Sequence, residues 1–394
     1  MATDRVIVIG AGPVGLTAAL ALAKRNIPVL LLEAETALPR DLRASTFHPP
    51  TLDLLEQFGI VDELINLGMI ASTWQFRDRE TGPVATFDMG VLRNDTAHPY
   101  RLQCEQWKLA GILHRELLKV PGVEVRLGAR IRSVAQTDST ASVTLEDGTT
   151  LDARYVIAAD GAHSPARKAL DIEFEGFTYP ELFLVASTTF PFETVVPDLA
   201  PISYISDPNA WFVLLRVRDL WRVLVPVPVD VDRDAILSDA SVQEVLRKIH
   251  PDAIKHPINH RTLYFVHQKV AARFAAGRVL LAGDAAHLNN PLGGMGMNGG
   301  VHDALNLVSK LEQVWHGGDS ALLQLYERQR RTVTLEAVQQ QTMRNHQLMS
   351  ERDPEVRAKS FANLRETVAD PAKAREYLLK SSMIMSLRRA ESIQ

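Results

Sequence analysis

Residues 5–33 place the strongest constraint on the fold of this 394-residue chain. An apolar run over residues 5–9 leads into the glycine-rich turn Gly10-Ala-Gly12-Pro-Val-Gly15, which a helical pattern follows. A second apolar run, Val29 to Leu32, ends at Glu33. A strand, a glycine-rich turn, a helix and a second strand in this order are typical of a parallel βαβ unit. We therefore predict an α/β fold that begins with this unit.

Each glycine of the turn has its own expected role. Gly10 permits the tight turn, Gly12 lets a pyrophosphate approach the backbone, and Gly15 lets the helix pack on its strand. Glu33, at the end of the second strand, is placed to accept hydrogen bonds from a ribose, and an acid there disfavours a 2′-phosphate. A GxGxxG pattern alone is weak evidence, but here the strands, the helix and the terminal acid agree. The unit therefore predicts a dinucleotide-binding site.

A second glycine-rich segment lies at residues 278–300. The apolar run Val279 to Ala282 ends at Gly283-Asp284, and after a short polar turn comes a loop with glycines at positions 293, 294, 296, 299 and 300. A strand that ends in a carboxylate, followed by backbone amides that side chains do not obstruct, suits a polyhydroxylated and partly anionic ligand near a helix start. We expect this ligand to be a flavin whose other end is held by the N-terminal unit.

A third group of polar residues follows the predicted strand Tyr155 to Ala159. The strand ends at Asp160-Gly161, and Ser164 and Arg167 come next at helical spacing. Ligands of α/β sheets bind at the carboxyl ends of the strands. We therefore expect this group to contribute to a ligand-binding site.

Residues 176–270 differ in character from the rest of the chain. Proline is frequent, aromatic residues gather, and the alternating runs Trp211 to Val217 and Trp221 to Val229 predict an antiparallel sheet. Because this region has no phosphate loop, we expect it to cover and shape a pocket. Residues 73–98, around the turn Thr81-Gly82-Pro83, predict a hairpin.

The predicted architecture is α/β, with a Rossmann-like FAD-binding domain, an interleaved and mainly antiparallel β substrate domain, and C-terminal helices. The expected ranges are residues 1–72, 99–175 and 271–335 for the FAD-binding domain, 73–98 and 176–270 for the substrate domain, and 336–394 for the C-terminal helical segment.

Composition excludes some classes of function. The formal charge is −4, the sequence pI is near 6.3, and no dense Lys/Arg block occurs, so there is no electrostatic case for nucleic acid or an anionic membrane as a partner. The N-terminal apolar run is too short for a secretory signal or a membrane span, and we expect a cytoplasmic protein. The single cysteine, Cys104, excludes a disulfide within the chain and a multi-cysteine metal site, and we expect no metal.

Taken together, the three groups resemble the fingerprints of the single-component FAD-dependent aromatic hydroxylases, the p-hydroxybenzoate hydroxylase-like class A flavoprotein monooxygenases. The fingerprints here are Gly10-x-Gly12-x-x-Gly15 with Glu33, Asp160-Gly161 with Arg167, and Gly283-Asp284 followed by Pro291-x-Gly-Gly-x-Gly296-x-Asn298. They occur in the order of the family and at roughly its spacing. The resemblance covers about residues 5–320 of the chain.

The resemblance implies the activity and the partners. NADH or NADPH, a transient co-substrate, would reduce bound FAD, and O2 would then form a flavin C4a-hydroperoxide that hydroxylates a small electron-rich aromatic. A phenol, a hydroxybenzoate or a hydroxypyridine would be suitable, which is a chemistry of aromatic catabolism, and a homodimer is a further expectation. Two alternatives stay open: another flavoenzyme on this scaffold, such as a halogenase or a reductase, and a protein that binds FAD or an aromatic without turnover.

The resemblance also implies roles for cofactor-binding residues. Glu33 would bind the adenosine ribose, Asp284 the ribityl hydroxyls, and Arg43 either the pyrophosphate or the nicotinamide cofactor. Asp160 and Arg167 resemble the motif that serves FAD and the nicotinamide cofactor together.

Further residues are expected at the flavin itself. Gln106 resembles the flavin-binding glutamine of the family, and Gln103 is a second candidate. The loop backbone beside the flavin ring would come from Gly294, Gly296, Met297 and Asn298, with the helix that follows directing its positive end at the ring. Met295 stands where many relatives carry glutamine.

The catalytic and substrate-binding residues are less constrained. His48, Tyr204 and His267 are candidates for a proton relay, and Pro291 of the third fingerprint is placed with them. On the predicted substrate sheet, Arg216 and Arg222 either anchor a substrate carboxylate or face solvent, because alternate residues of a strand point to opposite faces.

Overall fold

The computed structural model describes residues 4–40 and 44–394. Its strands are β1 Val6–Ile9, β2 Val29–Leu32, β3 Thr46–Phe47, β4 Met69–Ala71, β5 Thr73–Asp78, β6 Gly82–Asp88, β7 Arg101–Gln103, β8 Val123–Arg126, β9 Ile131–Gln136, β10 Ala141–Leu145, β11 Thr150–Ala153, β12 Tyr155–Ala158, β13 Phe174–Thr188, β14 Ile202–Ser206, β15 Phe212–Arg216, β16 Trp221–Pro228, β17 Ile258–Ala271, β18 Ala275–Ala276, β19 Val279–Leu281 and β20 His287–Leu288.

The helices are α1 Pro13–Ala23, α2 Pro49–Leu55, α3 Val61–Leu67, α4 Gln106–Leu117, α5 Pro165–Ala169, α6 Arg233–Ile236, α7 Asp239–Ile249, α8 Gly296–Trp315, α9 Ala321–Val333, α10 Gln340–Ser350, α11 Pro354–Ala369, α12 Pro371–Ser381 and α13 Ile384–Glu391. None of these helices in the described ranges is long and apolar enough to cross a bilayer.

The expected α/β fold class is confirmed by a six-stranded sheet in the order β18-β19-β12-β1-β2-β8. Strand β1 pairs in parallel with β2 and β12, and β12 pairs in parallel with β19. All residues of β1, β2 and β12 are buried, as in a parallel sheet covered on both faces. Because these strands are parallel, the polar segments after β1, β12 and β19 meet at one sheet edge.

The N-terminal turn has the geometry expected of its glycines. Gly10 has φ of 100°, and a Cβ atom there would lie 2.3 Å from the carbonyl oxygen of Ala159 on the neighbouring chain segment. A Cβ atom at Gly15 would lie 1.9 Å from the carbonyl oxygen of Gly10. Around Gly12, by contrast, no described atom outside the adjacent residues lies within 4 Å of that position. Two of the glycines therefore permit close packing, and the third leaves an open approach to the backbone.

The second large sheet has eight strands in the order β20-β17-β13-β16-β15-β14-β5-β6 and is antiparallel except where β14 runs parallel to β5. One face carries an aromatic cluster that includes Trp74, Phe76 and Tyr204, and helices α10 to α13 pack against it. The opposite face packs on α7. The sheet draws mostly on the two ranges expected for the substrate domain, but β20 lies outside them. The domain boundaries stay a prediction.

Helix α8 begins earlier than its sequence indicates. The pattern predicts a helix from Val301, but the structure starts it at Gly296. Glycine has low helix propensity, but here it permits close packing of the helix on α1. A Cβ atom at Gly300 would lie 2.5 Å from Cγ2 of Val14. This tertiary contact overrides the local propensity.

We predict that Gly15→Ala destabilises the protein, because the added methyl group would clash with the Gly10 carbonyl. The backbone would have to move, at a cost of about 1–3 kcal/mol in the free energy of unfolding. Gly12→Ala is the matched control and should change that free energy by less than about 1 kcal/mol. Urea unfolding of both apoproteins measures the difference. Equal free energies for the two variants would contradict the packing role of Gly15.

Candidate active site

Arg167 joins two of the segments that meet at the sheet edge. Its Nη1 donates to the carbonyl oxygen of Ala285 and its Nη2 to that of Ala162, both at 2.8 Å. The guanidinium also lies 3.8 Å from the ring centre of Phe174 and is 5% exposed. Arg167 thereby fixes the turn after β12 against the turn after β19. Its expected contact with the cofactors stays a prediction.

Asp160 offers an unused acceptor at the same edge. One carboxylate oxygen accepts from the Ala166 amide at 3.1 Å, and the other, Oδ1, is buried without a hydrogen-bond partner among the described residues. Burial raises the pKa of Asp160. An orphaned acceptor at the carboxyl end of a strand is a feature that a ligand hydroxyl would satisfy.

The dinucleotide end of the site is organised by Glu33. Its carboxylate accepts from the Ala11 amide at 2.7 Å and from the Glu35 amide at 2.9 Å, so it holds the glycine-rich turn in place. A carboxylate has about four acceptor positions, so ribose hydroxyls can still bind. Gly12 precedes α1, and no described side chain caps this helix. The free amides of its first turn and the open space at Gly12 fit a pyrophosphate.

The other end of the site is the loop before α8. Gly293 and Gly294 have φ of 118° and 68°, in the region that favours glycine. The buried side chain of Asn298 donates to the carbonyl oxygens of Gly294 and Thr46 at 2.6 and 2.8 Å, and accepts from the His48 amide at 2.9 Å. Asn298 therefore fixes the loop against β3, which leaves the loop backbone as the part that can face a flavin.

Other residues expected around this loop have local roles. The Pro291 carbonyl accepts from the Gly294 amide at 2.9 Å and so forms part of the turn. Met297 is half-buried against the core of the six-stranded sheet. Met295 is 2% exposed and packs against Val338 and Met383 of the C-terminal helices. The departure from the family at Met295 thus has a structural explanation.

The candidate flavin-binding amides differ in their environment. Gln106 is the first residue of α4, is half-buried, and its backbone amide donates to the Ala44 carbonyl at 3.0 Å. Gln103 is fully buried and exchanges hydrogen bonds with the Thr46 hydroxyl. Arg43 lies outside the described residues. The cofactor contacts of all three stay predictions.

A buried network around Asp303 was not predicted. Its carboxylate accepts from the Gly283 amide at 3.1 Å, from His287 Nε2 at 2.7 Å and from Arg330 Nε at 2.7 Å. Burial alone would raise the pKa of Asp303, but His287 and Arg330 hold it well below its usual range. The network places the turn that carries the exposed Asp284. The available sequence signal was an acid on the repeating inner face of α8.

Two of the three proton-relay candidates come together. His48 Nε2 lies 2.7 Å from the Gly293 carbonyl oxygen, and the Tyr204 hydroxyl also lies near Gly293. Both side chains are buried. Burial lowers the pKa of His48 and raises that of Tyr204.

The third candidate, His267, lies on a different face of the sheet, and its relay role stays a prediction. On β17 it alternates with the buried Val266 and Gln268, so it points to the opposite face of the sheet. There its ring bonds to the Thr178 hydroxyl at 2.8 Å and stacks on the exposed Phe265.

The two candidate substrate arginines lie on opposite faces of the sheet, and a substrate role for Arg216 stays a prediction. Arg216 pairs with Glu193 at 3.6 Å and lies over the ring of Trp221, on the face that packs toward α7. Arg222 on β16 lies opposite Leu215, the residue before Arg216. It is 3% exposed and lies on the same sheet face as Tyr204. Sequence alternation predicts two faces, but which face is inside depends on the packing. The substrate role of Arg222 stays a prediction.

Arg101 is a further residue that the sequence did not single out. It lies on β7, is 2% exposed, and its guanidinium is 4.6 Å from the ring centre of Trp74. It interacts with the Tyr204 hydroxyl and is close enough to His48 to lower the pKa of that ring. No local pattern marks a buried arginine in a three-residue strand.

The strand ends, the open N-terminus of α1 and the glycine loop define a flavoprotein of the dinucleotide-binding type. The chain belongs to the family described as FAD binding domain, whose model matches residues 3–341. It is an FAD-dependent aromatic monooxygenase, as the fingerprints implied. The cofactor expectation is confirmed at the level of the family.

Similar proteins cover 85% or more of the chain. Para-nitrophenol 4-monooxygenase of Pseudomonas sp. (strain WBC-3) is 36% identical over 391 residues, which is 95% of this chain and 94% of that protein. The 6-hydroxy-3-succinoylpyridine 3-monooxygenase HspB of Pseudomonas putida (strain DSM 28022 / S16) is 32% identical over 85% of this chain and 86% of that protein. The crystal structure of p-nitrophenol 4-monooxygenase PnpA from Pseudomonas putida DLL-E4 matches with a TM-score of 0.90 at 30% identity, covering 100% of this chain and 99% of that one.

We predict that the protein loses stability below neutral pH because of buried neutral histidines. Burial lowers the pKa of His48, and burial and Arg330 lower that of His302 to about 3. In the unfolded chain each titrates near ~6.5, so the unfolded state binds more protons as the pH falls from there toward the folded-state values. For His302→Gln, the slope of unfolding free energy against pH should fall by about 1.4 kcal/mol per pH unit below about pH 6.

Urea unfolding between about pH 4 and pH 8 measures this slope. His316→Gln, at an exposed position, is the control and should keep the slope of the unchanged protein. If His302→Gln also keeps that slope, His302 is not a neutral buried histidine in the folded state.

Proposed function

We propose that this enzyme hydroxylates a small, single-ring phenol or hydroxypyridine, with NADH or NADPH as reductant and O2 as oxidant. The observation that carries the proposal is the meeting of His48 and Tyr204 at Gly293, where the glycine loop reaches the eight-stranded sheet. A substrate there would lie between the loop and the aromatic cluster. The relatives named for a nitrophenol and for a hydroxypyridine, each matched over most of its length, support this substrate class.

The aromatic cluster supports a planar ring as substrate. Trp74 stacks on Phe87 with ring centres 4.5 Å apart, and Phe87 stacks on Tyr377 at 4.6 Å. Tyr204 meets the edge of Trp74 at 6.0 Å. Flat aromatic side chains in offset and edge contacts favour a flat aromatic ligand beside them.

The residues at the sheet edge fit FAD, which would supply the redox and oxygen chemistry when bound. Gly12 and the first turn of α1 would bind the pyrophosphate, Glu33 the adenosine ribose, and Asp284 the ribityl hydroxyls. The positive end of α8 would favour negative charge on the flavin by up to ~2 kcal/mol. The buried side chains near Gly293 would orient the substrate and exclude water. A homodimer and a cytoplasmic location stay predictions.

We predict substrate-dependent turnover with a panel of phenols and hydroxypyridines. Purified protein containing FAD should oxidise NADH or NADPH faster when a suitable ring is present, with O2 uptake and a hydroxylated product. Stopped-flow absorbance of the flavin, an oxygen electrode and mass spectrometry of the product measure the three quantities. Flavin that stays oxidised with every member of the panel would favour a protein that binds FAD or an aromatic without turnover.

We also predict that Asp284→Ala weakens FAD binding, because ribityl hydroxyls would lose a charged acceptor. The expected loss is about tenfold in Kd, and Asp284→Asn, which keeps one amide oxygen, should lose less. Flavin fluorescence titration of the apoproteins measures the Kd. A variant that purifies with full flavin and an unchanged Kd would remove Asp284 from the ribityl site.

A further inference from the structure

Arg101 is a buried cation with no acidic partner in residues 4–40 and 44–394. Its side chain is 2% exposed, and Nε and Nη1 have no hydrogen-bond acceptor among the described residues. An arginine stays protonated in proteins, so the charge cannot be removed by titration. Burial lowers the pKa of Arg101, which indicates poor solvation of the charge. Donors buried in this way are costly unless a ligand satisfies them.

The groups around Arg101 do not neutralise it. The hydroxyls of Tyr204 and Tyr377 are close, but burial raises the pKa of both, so both are protonated at neutral pH. The ring of Trp74 contributes a cation–π contact, which attracts the charge without cancelling it. The environment thus has an excess of positive charge.

His48 is a poor base for accepting a substrate proton. Its Nε2 is engaged with the Gly293 carbonyl, and Nδ1 is buried without a partner in the described part of the chain. Burial and the neighbouring Arg101 lower the pKa of His48. Behind it, His302 bonds to Thr51 and also has a lowered pKa. With Nε2 donating to the Gly293 carbonyl, Nδ1 carries the free lone pair, but a proton accepted there would create a second buried cation close to Arg101. A phenol that arrived protonated would therefore find a poor acceptor for its proton in this group.

We propose that Arg101 anchors the oxygen of an ionised ring, so that the enzyme selects phenols and hydroxypyridines that have already lost their proton to solvent. This inference rests on the proposed function. It adds that the enzyme selects its substrates by the acidity of the ring hydroxyl. The position of Arg101 suits this role, because His48 links the vicinity of Arg101 directly to Gly293 of the loop before α8. Rings that carry an electron-withdrawing group ionise most readily and would be preferred. Ordinary phenols, which are neutral at physiological pH, would bind weakly.

The pH dependence of binding follows from the titratable groups nearby. These are His48, His302, Tyr204 and Tyr377, with Arg344 next to Tyr377. Both histidines are shifted below the neutral range and both tyrosines above it. Between these limits the ligand itself is the group that titrates. The Kd of 4-nitrophenol should therefore be constant above the pKa of the phenol and rise about tenfold per pH unit below it.

The test is equilibrium titration of the FAD-loaded protein with 4-nitrophenol, without NADH or NADPH, over a range of pH. Arg101→Met should weaken binding of the phenolate by about 100-fold and remove most of the pH dependence. Arg101→Lys, which keeps the charge, should restore part of both. Arg154→Met is the matched control, since Arg154 also lies over a tryptophan ring, Trp315 at 4.8 Å, and should leave the Kd within about twofold of the original.

A second measurement separates an anchor from a structural arginine. Removing an unpaired buried charge relieves a cost of folding, so the ligand-free Arg101→Met protein should keep its FAD and melt at the same or a higher temperature. It should also lose the rise in melting temperature that 4-nitrophenolate gives the unchanged protein. A lower melting temperature together with an unchanged Kd profile would assign Arg101 a structural role and overturn the proposal.

Failure of the anchor and failure of the proposed function give different results. The anchor proposal alone is overturned if the enzyme turns over phenols but their Kd does not depend on the pKa of the ligand. It is likewise overturned if the enzyme turns over phenols and Arg101→Met binds 4-nitrophenol as tightly as the unchanged protein does. Binding of 4-nitrophenolate with the expected pH profile but without oxidation of NADH or NADPH supports the anchor and overturns the proposed function.

Discussion

The carboxylate of Asp303 joins the parts of the molecule that form the cofactor edge. It sits on α8, accepts from the amide of Gly283 after β19, and pairs with His287 and Arg330. Breaking a buried ion pair of this kind by removing one partner costs about 3–5 kcal/mol, because the other charge is left in the interior. The Asp303 side chain therefore holds three parts of the site together. These are the end of β19, the start of the turn that carries Asp284, and α8, the helix that follows the glycine loop.

The parts of the fold that the sequence predicts well depend on contacts between neighbours in the chain. The turn from Gly10 to Gly15 is an example, since the clash at Gly15 is with Gly10 itself. Asp303 escaped prediction because its partner Arg330 lies on another helix. The start of α8 was misplaced for the same reason, because Gly300 packs against Val14. Local pattern cannot reveal a contact between distant segments.

In the candidate site, too, the position of a side chain depends on contacts between distant segments of the chain. Strand alternation separates residues into two faces, but the choice of the inner face depends on the helices that cover the sheet. Arg216 and His267, both candidates for the pocket, lie on the face opposite Tyr204. Tyr204 lies on the inner face with the aromatic cluster. The residue type alone therefore identifies side chains that are able to move a proton or bind a carboxylate, but it does not show on which face of the sheet they lie.

The two most deeply buried arginines of this region are used in opposite ways. Arg330 is paired with Asp303, and the pair stabilises one arrangement of the chain. Arg101 has Trp74 and two protonated tyrosines around it, with donors left unsatisfied among the described residues. A buried charge without a protein partner opposes folding. Such a charge is expected at a site where a ligand supplies the missing partner. Arg330 therefore stabilises the fold around the site, whereas Arg101 is the cation that we propose binds the substrate.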